Sequence, residues 1–293
     1  MFVLVVFVRF ASLRTPSNYY IISLAVADFL VGLLAIPFAI LGHVGLPRDF
    51  NVCLFMNSLL MLLCTASILS LVALTVDRYW AIFKPFHYKR SVNKRTSVVV
   101  ICTSWILSTL IGLFPVFGWN KGRPKVPQCF FLEVMDLDYL LFIYVVTILI
   151  PSFFIIAVYL MIYKTVRRHL QSAKQQQSTM GVQTKESAKR DAQTAKSVLI
   201  IVLLFLVSWF PLYTINAIML FCKDCVIPPI LMNFAVILSH ANSVWNPGLY
   251  AWGLSDFRDA LHKVMCPCRS SSTLPLASTT SIRRQSHSVH AQS

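Results

Sequence analysis

Residues 53–79 read CLFMNSLLMLLCTASILSLVALTVDRY, and this stretch decides the fold. No charged side chain falls between Cys53 and Asp77. As α-helix, that segment spans about 36 Å, enough to carry the chain from one face of a bilayer to the other. Residues 19–41, 97–117, 139–161, 197–220 and 227–251 have the same character, each apolar over about 20 residues or more. Prolines inside several of these runs would break a soluble helix. They are tolerated in a membrane, where neighbouring helices re-satisfy the freed backbone groups. Composition agrees: 57% of residues are hydrophobic and 13% charged, against about a quarter charged in an ordinary soluble domain.

A seventh segment, residues 1–10, is apolar but about half the length a span needs. A secretory signal would carry its charges before the apolar core and a small-residue cleavage site after it. Here the charges, Arg9 and Arg14, come at the end. We read 1–10 as the inner half of a first helix whose outer half precedes Met1. The expected fold is therefore an all-α membrane protein, a seven-transmembrane helix bundle with a truncated first helix and a short amphipathic eighth.

Charge orients the bundle. The loop after the first stub, the loop 78–95, the loop 164–196 and the tail together hold 21 of the 26 Lys and Arg residues, all on one side. The positive-inside rule makes that side cytoplasmic. The net charge of +15 thus reflects topology and contact with anionic membrane lipid, and calls for no nucleic acid. Residues 1–265 are expected to form the helix-bundle domain, with 164–196 as its third cytoplasmic loop. Within 255–265, Phe257, Leu261 and Val264 share one face, with Arg258 and Lys263 among the polar positions, as in a helix lying along a membrane surface. Cys266 and Cys268 follow where palmitate would anchor it. Residues 266–293 read as a disordered, Ser/Thr-rich cytoplasmic tail open to phosphorylation.

On the outer, oxidising side lie Cys53, Cys129, Cys222 and Cys225. Cys53 with Cys129 would tie the third helix to the second outer loop, and Cys222 with Cys225 would close a small ring. Spacing alone leaves pairing of Cys129 with Cys222 or Cys225 open.

Ionisable groups within membrane spans are costly and default to function. Among eleven acids only Asp28 lies well inside a span, and among seven histidines only His240. Asp28 needs partners, a cation or a proton. Ser67, Asn242 and Asn246 sit at suitable depths, and the two asparagines, four apart, share a face. Such hard oxygen ligands suit Na⁺ as an allosteric ion. No other cofactor is expected. At the inner end of the third helix, Arg78 can pair with Asp77 or reach Asp191 at the base of the sixth. A pairing of that kind is a latch that outward movement of the sixth helix would break.

The outer half of the bundle should hold a ligand. Trp209 and Asn216 are two turns apart on one face, with Pro211 between them, and His240 lies at a similar level. Phe131, two residues beyond Cys129, can place its ring over the cavity mouth. A flat ligand could stack on Phe131 while the Asn216 amide offers it a donor and an acceptor. A transporter or channel fits poorly, because internal repeats and a continuous polar path are missing from the sequence. A membrane enzyme fits worse, since no metal cluster or nucleophile–base set is present.

Leu24-Ala-Val-Ala-Asp28, Asp77-Arg78-Tyr79, Trp105, Pro151 with Tyr159, Ser208-Trp-Phe-Pro211 and Asn246-Pro-Gly-Leu-Tyr250 stand in order along the chain. In these motifs it resembles the rhodopsin-like, class A G-protein-coupled receptors. In Ala35-Ile-Pro-Phe-Ala-Ile40, Phe117-Gly-Trp-Asn120, Thr194-Ala-Lys-Ser197 and Leu238-Ser-His-Ala-Asn-Ser243 it is similar to the adenosine receptors. Cys222-Lys-Asp-Cys225 resembles that family's extra disulfide. The resemblance implies that Phe131 stacks on adenine, Asn216 bonds its exocyclic amine and ring nitrogen, and Ser239 and His240 hold the ribose. Leu212, Met232 and Val236 would pack around the ring. It also implies switch roles for Asp77, Arg78, Tyr79, Asp191, Tyr159 and Tyr250. The implied partners are adenosine or a related nucleoside, a heterotrimeric G protein, and a receptor kinase and arrestin at the tail. The chain departs from the family at Cys64, where a threonine touches the ribose end, and at Thr65, Leu132, Tyr213 and Asn233. Leu132 stands where an acid is common, although one branch of the family also has an apolar residue there.

Overall fold

The computed structural model describes residues 2–175, 182–222, 225–253 and 255–265. Regular structure there is helical apart from one isolated β-bridge, Asn120 with Met135. The helices are α1 (Phe2–Arg9), α2 (Pro16–His43), α3 (Phe50–Phe83), α4 (Pro85–Ser91), α5 (Lys94–Leu113), α6 (Phe131–Val134), α7 (137–175), α8 (Val182–Phe221), α9 (Pro229–Gly253) and α10 (Ser255–Met265). Among the described residues, five helical stretches are long and apolar enough to cross a membrane: Pro16–His43, Phe50–Phe83, Lys94–Leu113, Leu137–Arg168 and Val202–Met219.

Local chemistry sets several starts. The Asp49 carboxylate accepts from the Val52 amide at 2.9 Å, and Asn93 Oδ1 from the Thr96 amide at 3.1 Å. Asp136 accepts from the amides of Asp138 and Tyr139. Each satisfies backbone donors that a helix start leaves orphaned. Pro16 and Pro85 open α2 and α4, where a missing N–H costs nothing. Within the spans, Thr65, Thr75 and Thr147 return their hydroxyls to the carbonyl four residues back, at 2.7–2.8 Å. A hydroxyl spent in this way needs no water.

Two helices widen just ahead of a proline. In α2, Val31–Ala35 forms a π-helical turn before Ile36-Pro37. In α7, Tyr144–Leu149 does the same before Ile150-Pro151. A proline ring inside a regular helix collides with the carbonyl four residues earlier, and a wider turn relieves that collision.

Packing is inverted relative to a soluble protein. Phe153, Val99 and Ile106 are more than half exposed on the outer faces, while Asp28, Ser67, Asn242 and Asn246 are buried inside. An exterior this apolar is suited to hydrocarbon rather than water. The α3 helix runs through the middle, packed on α2, α5 and α7. Against α5 the fit leaves little room. A Cβ on Gly112 would lie 2.6 Å from the Leu62 backbone, so only glycine fits there.

Five of the six spans expected from hydropathy recur with shifted ends among the described residues, and the sixth, 227–251, is seen as the helix α9, which is not among those five. Capping by Asp49 starts α3 ahead of its apolar run, and the helix continues past Asp77-Arg78-Tyr79 to Phe83. At the other extreme, α5 stops at Leu113, short of Phe117, and Gly118 adopts a φ of 119° in the turn that follows. The α8 helix begins at Val182, inside the segment read as the third loop.

Candidate functional site

One end of the bundle carries both disulfides. Cys53 is bonded to Cys129 and Cys222 to Cys225, with Cα–Cα separations of 5.6 and 5.4 Å. The pairing that spacing left open is thereby resolved. The first ties the start of α3 to the loop leading into α6, and Asn57 Nδ2 lies 3.6 and 3.8 Å from its two sulfurs. The loop is folded back on itself. The Lys121 amide donates to Val134 O at 3.0 Å and the Lys121 Nζ to Leu132 O at 2.9 Å.

Beneath this loop lies a cavity of about 1210 Å³. Phe131, Trp209, Leu212, Asn216, Met232, Val236, Ser239 and His240 all line it. Eight of the nine residues expected to meet a ligand therefore converge from α6, α8 and α9. The ninth, Cys64, does not. It is 5% exposed and packs in the core with Ile68, Trp209 and Tyr213. Met61, one turn earlier on α3, takes the wall position.

The floor is aromatic. Tyr213 stacks on Tyr144 at 5.3 Å and 16°, and tilts against Trp209 at 5.7 Å. Phe205 extends the column beyond Trp209. The partnership of Tyr144 with Tyr213 was not foreseen, because it depends on how α7 and α8 are rotated against each other. His240 Nδ1 lies 2.8 Å from Val236 O, so that nitrogen carries the proton. Its Nε2 is buried without a partner, and so is Trp209 Nε1. Ser239 Oγ also donates to Val236 O, at 2.7 Å.

Deeper in the bundle, Asp28 accepts three hydrogen bonds: from Asn246 Nδ2 at 2.8 Å, Ser243 Oγ at 3.1 Å and Ser67 Oγ at 3.3 Å. Ser243 was missed and stands where Asn242 was expected. The two differ by one residue, about 100° around α9. Asn242 is buried nearby, and its Oδ1 and that of Asn246 have no partner. Three hard oxygen-bearing groups thus converge with spare acceptor capacity.

At the far end, Asp77 is a hub. Arg78 donates to it from Nη2 at 2.8 Å and Nε at 3.2 Å, Ser17 Oγ at 2.6 Å and Tyr88 OH at 2.9 Å. Burial and the adjacent Asp77 charge push the Tyr88 phenol up to about 12. Its proton therefore stays in place at physiological pH. Ser17 and Tyr88 lie on other helices, and nothing in their local sequence marks them. Tyr79 stacks on Phe83 at 4.6 Å, and the Tyr159 hydroxyl is buried without a partner. The backbones at Asp191 and Tyr250 belong to α8 and α9, but their side chains lie outside the described residues, as do Cys266 and Cys268.

The family model for the "7 transmembrane receptor (rhodopsin family)" matches residues 1–250. The chain is 36% identical over 270 residues to adenosine receptor A2a of Homo sapiens, covering 87% of this chain and 65% of that receptor. The Equus caballus A2a receptor gives 36% over 271 residues, with the same coverage. Adenosine receptor A3 of Canis lupus familiaris gives 36% over 274 residues, covering 90% of this chain and 85% of that one. The chain thus spans somewhat under two thirds of the A2a receptors it matches. Motifs, helices and matches agree, and the chain belongs to the rhodopsin family of seven-transmembrane receptors: a multi-pass membrane receptor related to the adenosine receptors, and not an enzyme.

Proposed function

We propose that this chain is an adenosine-type G-protein-coupled receptor that takes a purine nucleoside into the cavity beneath the Cys53–Cys129 loop. The observation that carries this reading is the convergence of Phe131, Asn216 and His240 on one cavity. An aromatic ring, an amide with both donor and acceptor, and a histidine with a free Nε2 suit a flat heterocycle with a hydroxylated appendage. Phe131 stacks on the purine, Asn216 reads its edge, and His240 Nε2 accepts from a ribose hydroxyl. With its hydroxyl already given to Val236 O, Ser239 can offer only its lone pairs. Leu212, Met232 and Val236 supply the apolar wall.

Ligand pressing on Trp209 favours a state in which α8 moves away from α3, and the ligand shifts the population only by its tighter binding to that state. The Asp77–Arg78 pair, supported by Ser17 and Tyr88, holds the resting state. Asp191, Tyr79, Tyr159 and Tyr250 complete the switch, and its opening admits a heterotrimeric G protein that changes cyclic AMP. The Asp28, Ser67, Asn242 and Asn246 cluster suits Na⁺ as an allosteric ion, because buried amide oxygens without partners stand beside a carboxylate. Ser243 joins the set.

In this reading the chain lies in the plasma membrane with the disulfide end outside and its C-terminus cytoplasmic. The amphipathic α10 lies on the inner leaflet, anchored through Cys266 and Cys268. The tail from 266 onward serves a receptor kinase and arrestin. The test is the adenosine-evoked cyclic AMP change in cells expressing the chain. Loss of that response in both Asn216→Ala and His240→Ala is the expected outcome. A response that survives both would sink the cavity assignment.

A further inference from the structure

The cavity wall carries one ammonium, that of Lys121, and among the described residues no carboxylate lines it. Leu132 contributes an apolar side chain to the wall, and the neighbouring Glu133 is exposed and is not part of the lining.

Lys121 is exposed on the loop, with its ammonium turned to a backbone partner. Its amide is tied to Val134 O at 3.0 Å, its Nζ to Leu132 O at 2.9 Å, and Asn120 beside it pairs with Met135. The bond to Leu132 O places the ammonium next to the Phe131-Leu132 segment, both residues of which line the cavity. An ammonium has three donors and no acceptor. One donor goes to Leu132 O, which leaves two for a ligand. The Asn216 amide, on the same cavity, offers one acceptor and two donors and can turn either way.

We infer that the cavity prefers a 6-oxopurine nucleoside, of the inosine class, over a 6-aminopurine nucleoside. This rests on the nucleoside reading above and narrows it. An exocyclic amine presents two N–H donors and is best met by acceptors, above all a carboxylate. A ring carbonyl presents lone pairs, and its lactam N–H presents one donor. The carbonyl suits Lys121 Nζ together with the Asn216 amide N–H, while the lactam N–H suits Asn216 Oδ1. A 6-amino group turned toward Lys121 instead sets donor against donor, and a ligand N–H desolvated without an acceptor is costly. A site that hydrogen-bonds one group discriminates strongly against an analogue lacking it.

The experiment is calorimetric titration of the full chain in lipid nanodiscs with inosine and with adenosine. The wild type is expected to bind inosine about tenfold more tightly, as one charge-assisted hydrogen bond supplies. Lys121→Met should cost inosine about that factor and bring the two ligands level. Leu132→Glu, which leaves Lys121 in place but sets a carboxylate acceptor beside it, should turn the preference toward adenosine. Tighter adenosine binding by the wild type overturns this inference and leaves the nucleoside reading standing. An inosine preference that persists in both variants overturns it as well. If neither nucleoside binds the wild type, both readings fall.

Discussion

The Asp28 carboxylate gathers donors from α3 and α9, and that convergence makes a sharp expectation at the scale of a single residue. Asp28→Asn keeps the shape but removes the charge a cation needs. Agonist binding to the variant should no longer differ between sodium chloride and N-methylglucamine chloride, whereas the wild type should bind agonist more weakly in sodium. Equal sodium sensitivity in both would refute the ion site. Tyr88→Phe removes one hydrogen bond to Asp77. With about 1 kcal/mol lost from the resting state, ligand-independent cyclic AMP signalling should change about fivefold in the direction of activation. Because the phenol titrates only near 12, the contact should persist across the neutral range. The raised value means its contribution is present below the ordinary tyrosine range and is lost as pH climbs through about 12. Residue types alone revealed Asp28 and Asp77, since a carboxylate in an apolar run declares itself. Their partners were harder to read. Ser243 differs from the expected Asn242 by one step around a helix, and Ser17 meets Asp77 across 60 positions of chain. Both depend on helix rotation, which hydropathy does not record.

At the scale of the element, α3 and α5 meet through a position where a single methyl group does not fit. Gly112→Ala should therefore push the helices apart or strain α3, costing about 1–3 kcal/mol. Thermal unfolding in detergent would report this, with Gly32→Ala, which opens onto free space, as the neutral control. An unchanged midpoint for Gly112→Ala would mean that α5 is free to shift. The spans themselves were legible because about 20 apolar residues have few other places to go. Their ends were not, since capping by Asp49, Asn93 and Asp136 overrides hydropathy at the termini. Nor was the Tyr144–Tyr213 stack, whose two rings belong to helices that only tertiary packing brings into register.

Across the whole molecule, the two disulfides differ greatly in what they restrain. Cys53–Cys129 joins residues 76 apart, whereas Cys222–Cys225 joins residues 3 apart. In chain-entropy terms the long closure is worth more, on the order of 2–5 kcal/mol. Cys53→Ser should thus lower the unfolding midpoint well beyond Cys222→Ser, and should also weaken nucleoside binding by freeing the segment that holds Lys121 and Phe131. Comparable shifts in the two variants would show that the restraint lies elsewhere. The architecture as a whole was readable from six long runs, a charge asymmetry and ordered motifs. The lining of its cavity was readable only in part, because Lys121 reaches the wall from a loop that carries no periodic signal.

The widened turns in α2 and α7 have a consequence for how such a helix can vary. Each spreads its residues over more than the usual 3.6 per turn, so the side chains after it are out of step with those before it. Val31–Ala35 separates the part of α2 that buries Asp28 from the part whose Ile36 and His43 reach the cavity. Tyr144–Leu149 separates the cavity-lining Leu140 and Leu141 from the core around Tyr159. One rod thereby presents two independent sets of faces. Substitutions that remodel the ligand-facing half leave the phase of the half that carries the buried carboxylate untouched, whereas deletion of one residue from either turn would rotate one half against the other by about 100°.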